Sequence, residues 1–113
     1  MKYMFLATTD NKMQLFHLLL NANHYMENGN EVAVVLECAS PKILIGLAEG
    51  SINLPIFTKS VENGIIDHAC KACSAAFDAT ESALKLGVPV KGDLKGHSNL
   101  LEFSEKGYSI ISF

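Results

Sequence analysis

Apolar residues run unbroken through Tyr3-Met4-Phe5-Leu6-Ala7 and give way at once to Thr8, Thr9 and Asp10, the pattern of a strand buried on both faces. From Met13 to Met26 the apolar positions fall at 15, 18, 19, 22 and 26, one face of a helix. Asp10 is its expected N-cap and Asn28-Gly29-Asn30 its stop. The β-branched run from Glu31 to Glu37 predicts a second buried strand, so the first third of the chain reads as a right-handed βαβ unit. Short helices are expected over Pro41 to Glu49, with Ser40 as cap, Pro41 at the first position and Gly50 after the end, and over Pro55 to Glu62. A third strand follows at Ile65 to Cys70, then one helix from Cys73 to Leu86 closed by Gly87. Val88-Pro89-Val90 predicts a small fourth strand, Lys91 to Gly96 a glycine-bearing loop, His97 to Lys106 a last helix, and Tyr108 to Phe113 a final strand.

Strands alternating with helices predict the α/β class: a single three-layer α/β/α domain over residues 1–113, with a mostly parallel sheet of four or five strands in a flavodoxin-like or related order. The length, 113 residues, is one domain's worth of core. At 49% hydrophobic and 19% charged residues the chain is too apolar for disorder and predicts some surface hidden in an oligomer. All nine basic residues are lysine, and twelve acidic ones bring the net charge to −3. That balance excludes a nucleic-acid binder, which needs a basic face and guanidinium forks. No apolar run has the length of a membrane span or of a signal-peptide core, so a cytoplasmic location is expected. Three cysteines, two of them three apart, do not make a secreted disulfide framework.

In a parallel sheet, reactive groups gather beyond the carboxyl ends of the strands. Thr8-Thr9-Asp10, Cys38-Ala39-Ser40 and Cys70-Lys71-Ala72-Cys73 occupy those positions for the first three predicted strands. The Cys-x-x-Cys junction carries the strongest signal. Helix-start amides and the neighbouring Lys71 favour a thiolate, the form that attacks sulfur, so Cys70 and Cys73 are the candidate catalytic residues. The bland alternative makes Cys70 a small core residue and Cys73 part of a helix face. A metal site is the next reading: His68, Cys70 and Cys73 lie within six residues, with Cys38 or His97 as a possible fourth ligand. The residues imply no resident cofactor, and His68 reads first as a hydrogen-bonded core histidine. His17 and His24 fit a solvated face of the first helix, and His97 a cap. A thioredoxin-type site fits poorly, because the motif comes after two βα units and Pro89 follows too closely. No dinucleotide fingerprint, phosphate loop or serine elbow is present.

Four segments, Leu6-Ala7-Thr8-Thr9-Asp10, Gly29 to Leu36, Ala69-Cys70-Lys71-Ala72-Cys73 and Gly107 to Phe113, together with the order of elements, resemble the DsrE/DsrF-like family along nearly the whole chain. The resemblance implies a sulfur-handling protein in which Cys70, closing the third strand before the small residues Ser74, Ala75 and Ala76, accepts sulfur as a persulfide. Cys73 matches a second cysteine found in some members. It further implies a homo-oligomer (dimer, trimer or hexamer), donor and acceptor proteins as partners, and a possible role as sulfurtransferase or sulfur-relay subunit. A non-catalytic oligomeric module with a structural or metal-binding His/Cys cluster is the alternative.

Overall fold

The computed structural model describes residues 1–113. Five strands, β1 (Lys2–Ala7), β2 (Glu31–Leu36), β3 (Ile66–Cys70), β4 (Val90–Lys91) and β5 (Tyr108–Ser112), form one sheet in the order β4-β3-β2-β1-β5. Every pairing is parallel. Between them lie α1 (Lys12–Glu27), α2 (Lys42–Glu49), α3 (Pro55–Glu62), α4 (Lys71–Ala76), α5 (Thr80–Lys85) and α6 (Leu100–Glu105). No helix is long and apolar enough to cross a membrane.

Right-handed crossovers decide which helices share a layer. From β1 to β4 the chain steps in one direction across the sheet, so α1, α2, α3 and α5 stack on one face. The return from β4 to β5 runs the other way and puts α6 on the opposite face, giving the three-layer α/β/α fold expected. The first face holds the main core, with Phe5, Val34 and Leu36 from the sheet against Leu15, Leu18, Leu19, Leu44 and Phe57. Met4, Leu6, Ala33 and Val35 face the other way and meet Leu100, Phe103 and Tyr108.

Several expectations are corrected. Asp10 does not cap α1: Asn11 is the N-cap, its Oδ1 accepting from the Gln14 N–H at 2.9 Å. Ser40 does not cap α2 either; Pro41 occupies the N-cap, and the buried Ser40 hydroxyl donates to the carbonyls of Ala7 and Glu37. The single helix predicted over Cys73 to Leu86 is two, because Asp78 adopts a left-handed φ of 55° and reverses the chain between α4 and α5. The Thr80–Lys85 helix then seats Ala83 in the core. The last helix begins at Leu100 rather than His97, and the fourth strand is displaced to Val90–Lys91, where Val90 pairs with Ala69.

Aspartate tolerates the left-handed region better than most L-residues but still bears some of its steric penalty. Replacing Asp78 by Gly is expected to hold or raise stability, whereas Asp78→Val should lower it by about 1–2 kcal/mol, read from the urea midpoints of the two variants against the parent.

Candidate active site at the carboxyl ends of β2 and β3

Strand β3 is irregular in one place, and the irregularity shapes the site. Val34 pairs with Ile66 but Val35 pairs with His68, so Asp67 is an extra residue in the ladder. A bulge re-aims side chains. Here it brings Asp67 round to the His68 ring, and Asp67 Oδ2 lies 2.6 Å from His68 Nδ1. Beyond the bulge, alternation resumes and sends His68 and Cys70 to the same side, both buried.

The segment between β4 and α6 folds back over this end of β3. Leu94 and His97 exchange backbone hydrogen bonds of 2.9 and 2.8 Å, closing a tight ring in which Gly92 meets Gly96. A Cβ at Gly92 would run into the Gly96 carbonyl, so only glycine fits. The Gly96 carbonyl accepts from the Ala72 N–H at 2.8 Å and pins the ring to the start of α4. Two consecutive ring residues then reach β3. His97 Nδ1 lies 3.6 Å from Cys70 Sγ, and Ser98 Oγ lies 2.8 Å from His68 Nε2.

Cys70, Cys73 and His97 present their ligating atoms within 4.8 Å of one another. Cys70 is fully buried, Cys73 half-buried, and Cys38 exposed at the end of β2. Cys38 holds a φ of 55°, a conformation unusual for a residue with a Cβ. Burial, chiefly, and then a hydrogen bond to Cys70 push the Cys73 thiol up to about 12, against the weaker pull of the Cys38 amide. Partial desolvation, followed by the Glu37 carboxylate and Cys70, pushes Cys38 up as well. The lowered thiol expected at this junction is therefore overturned for Cys73: Lys71 points to solvent, and desolvation outweighs the few amides at the start of α4. Asp67 goes the other way. Its hydrogen bond to His68, with Lys91 adding a cation 3.5 Å away, holds the carboxyl below the usual range.

His68 is the hydrogen-bonded interior histidine expected and stands outside the thiol cluster. His97, expected to cap, instead faces Cys70, and Asn99 takes the N-cap position. His17 and His24 are exposed on α1. The roles of Asp67 and Ser98 had no signal in the sequence, since a bulge and a loop closure bring them to His68.

No family model matches the chain. It is 30% identical over 97 residues to an uncharacterized protein of Methanocaldococcus jannaschii, MJ0733, in an alignment covering 86% of this chain and 78% of that protein. The chain belongs to the family of that protein. Among solved structures it is similar to a conserved protein of unknown function from Bacteroides thetaiotaomicron, BT1422, at 26% identity and a TM-score of 0.71, covering 99% of this chain and 94% of the other. The solved structure thus shares the fold of this chain along nearly its whole length.

Two outcomes test the geometry. Gly92→Ala overpacks the ring by about 1–3 kcal/mol; if about 1–2 kcal/mol of this strain favours opening, alkylation of Cys70 should quicken roughly 5- to 30-fold, measured by peptide mass spectrometry over time. Alkylation of Cys73 should keep rising with pH well beyond about 8.5, where an ordinary thiol is half ionised, and a plateau near that value would contradict the burial argument.

Proposed function

We propose that the chain is a sulfane-sulfur carrier of the reducing cytoplasm, a sulfurtransferase or sulfur-relay subunit, with Cys70 as the sulfur-accepting residue. The observation that carries this reading is the placement of Cys70 Sγ against His97 Nδ1, with the Cys73 thiol beside it. His97 takes the Cys70 proton, and the Cys70 sulfur attacks the terminal sulfur of a donor persulfide, R–S–SH. The donor S–S bond breaks, its electron pair leaves on R–S, which takes up a proton, and Cys70–S–SH forms with no external oxidant or reductant consumed. An acceptor thiol then attacks the terminal sulfur and restores Cys70.

Cys73 sets the lifetime of the persulfide. Its attack on the Cys70 sulfur would expel hydrosulfide and leave a Cys70–Cys73 disulfide, to be reset by a thiol reductant. A thiol pushed up to about 12 makes that attack slow and keeps the sulfur available for transfer. Partners in this reading are donor and acceptor proteins and further copies of the chain. Exposed Leu94 and Leu101 and the open edge of β5, with Ile110 facing solvent, supply apolar surface for such contacts.

A second reading has a specific observation behind it. Zinc held tetrahedrally at about 2.3 Å from sulfur and about 2.0 Å from nitrogen places those ligands roughly 3.5 Å apart, close to the Cys70–His97 separation of 3.6 Å. Cys70, Cys73 and His97 would be three ligands, with Cys38 next in reach.

One experiment separates the two. Intact mass of anaerobically purified protein, native and denatured, is recorded before and after a polysulfide donor, with metal analysis of the same sample. The carrier reading expects a gain of about 32 Da per sulfur, reversed by reductant, lost in Cys70→Ser and retained in Cys73→Ser. Stoichiometric zinc without sulfur uptake establishes the metal reading, and loading unchanged in Cys70→Ser overturns the assignment of Cys70.

A further inference from the structure

The face of β3 beside the thiol cluster carries a second constellation that the sulfur chemistry does not use. We propose that Ser98, His68 and Asp67 form a nucleophilic-serine centre that accepts a small acyl group from an ester.

Three observations converge on Ser98. First, the chain Ser98 Oγ, His68 Nε2, His68 Nδ1, Asp67 Oδ2 is continuous, with separations of 2.8 and 2.6 Å. A carboxylate can only accept, so Nδ1 carries the imidazole proton and Nε2 is left free to accept from the Ser98 hydroxyl. That is the tautomer a general base for serine requires. Second, the arrangement is rigid: the bulge fixes Asp67, the ring of residues 92–98 fixes Ser98, and the His68 imidazole stacks on Phe103 with centroids 6.4 Å apart. Third, the constellation is not sealed in the core. Ser98 and His68 are each only 4% exposed, yet both line a cleft of about 130 Å³ whose walls carry the carboxylates of Asp93 and Glu102 as well as Lys91 and Lys106. Neither the Ser98 nor the Asn99 N–H donates to a backbone carbonyl, so two unspent donors lie at and next to Ser98 in the chain, the kind of group that can hold a developing oxyanion.

The step balances without a cofactor. Ser98 Oγ attacks the carbonyl carbon of R–CO–OR′ while His68 Nε2 takes the hydroxyl proton. The C–OR′ bond breaks, and R′O leaves with that proton as R′OH, giving acyl-Ser98. Water, deprotonated by the same nitrogen, attacks the acyl carbon, and the carboxylic acid departs with Ser98 restored. The small cleft favours an acetyl-sized group over a long chain. A purely structural polar network needs the same hydrogen bonds but no cleft beside them, and it gives the serine no enhanced reactivity.

The test is phosphonylation of the full chain by a small alkyl fluorophosphonate, in which Oγ–P forms and P–F breaks with loss of fluoride. The label is located by peptide mass spectrometry. Expected is stoichiometric label on Ser98, slowed by about 10²-fold or more in Asp67→Asn and His68→Gln, with circular dichroism and thermal unfolding confirming that each variant is folded. Wild-type protein whose Ser98 stays unlabelled overturns the proposal whatever the variants do, and so does an equal rate of labelling in a folded Asp67→Asn. The Ser98 label and the sulfur at Cys70 fall on different residues and differ in mass, so failure here and failure of sulfur loading at Cys70 are read separately in the wild-type chain.

Discussion

An extra residue in a parallel ladder interrupts the hydrogen bonding of the strand that carries it, and in this chain the interrupted strand is β3 at Asp67. Without the bulge, Asp67 and His68 would point to opposite faces of the sheet. With it, both reach the α6 side, the imidazole is held between a carboxylate and the Ser98 hydroxyl, and Cys70 two residues later lands beneath His97. The bulge and the ring of residues 92–98 therefore act as one device. The strand presents alternate residues 68 and 70, and the ring answers with consecutive residues 98 and 97.

That pairing ties the Cys70 thiol and the Ser98 hydroxyl to one ring through a few backbone bonds. The Gly96 carbonyl, held by the Ala72 N–H, and the close approach of Gly92 to Gly96 keep His97 over a thiol that solvent does not reach. A buried sulfur is protected from adventitious oxidation and reduction, so its reactions depend on the ring opening or on passage through the half-buried Cys73 and exposed Cys38. Electrostatics reinforces this order. The thiols nearer the surface are both pushed up, Cys38 by desolvation and then by Glu37 and Cys70, and Cys73 by desolvation and then by its hydrogen bond to Cys70.

Much of the fold was legible in the chain because its signals are local. Buried parallel strands read as unbroken apolar runs, as Tyr3 to Ala7 and Val32 to Leu36 do, and Gly50 and Gly87 stop helices where expected, with φ of 88° and 81°. Asp78 is not a residue type that announces a left-handed turn by itself, so the break between α4 and α5 passed as continuous helix. Cys70 and Cys73 stand out as a motif, but His97 does not, because its approach to Cys70 depends on a ring closed by Gly92 and Gly96 across 27 residues of sequence. Asp67 was invisible for a related reason: a bulge in a parallel pair is set by the partner strand's register, which no periodicity within β3 encodes.

The location of the site departs from the usual rule for open parallel sheets, which puts ligands where the strand order reverses. Here the reversal lies between β1 and β5. That crevice is stitched shut: the Thr8 N–H and hydroxyl both donate to the Phe113 carbonyl, and the Phe113 N–H donates to Leu6. The neighbouring gap, lined by Thr8, Leu15 and Phe113, leaves no space for a water molecule. With the switch point filled, the exposed carboxyl ends are those of β2 and β3, and these are the ends that carry Cys38, Cys70 and Cys73. A chain that closes its topological crevice with its own backbone gives up a ready-made pocket for a large ligand. At the ends of β2 and β3 the chain instead presents individual side chains, with Cys70 held under a ring that closes where Gly92 meets Gly96.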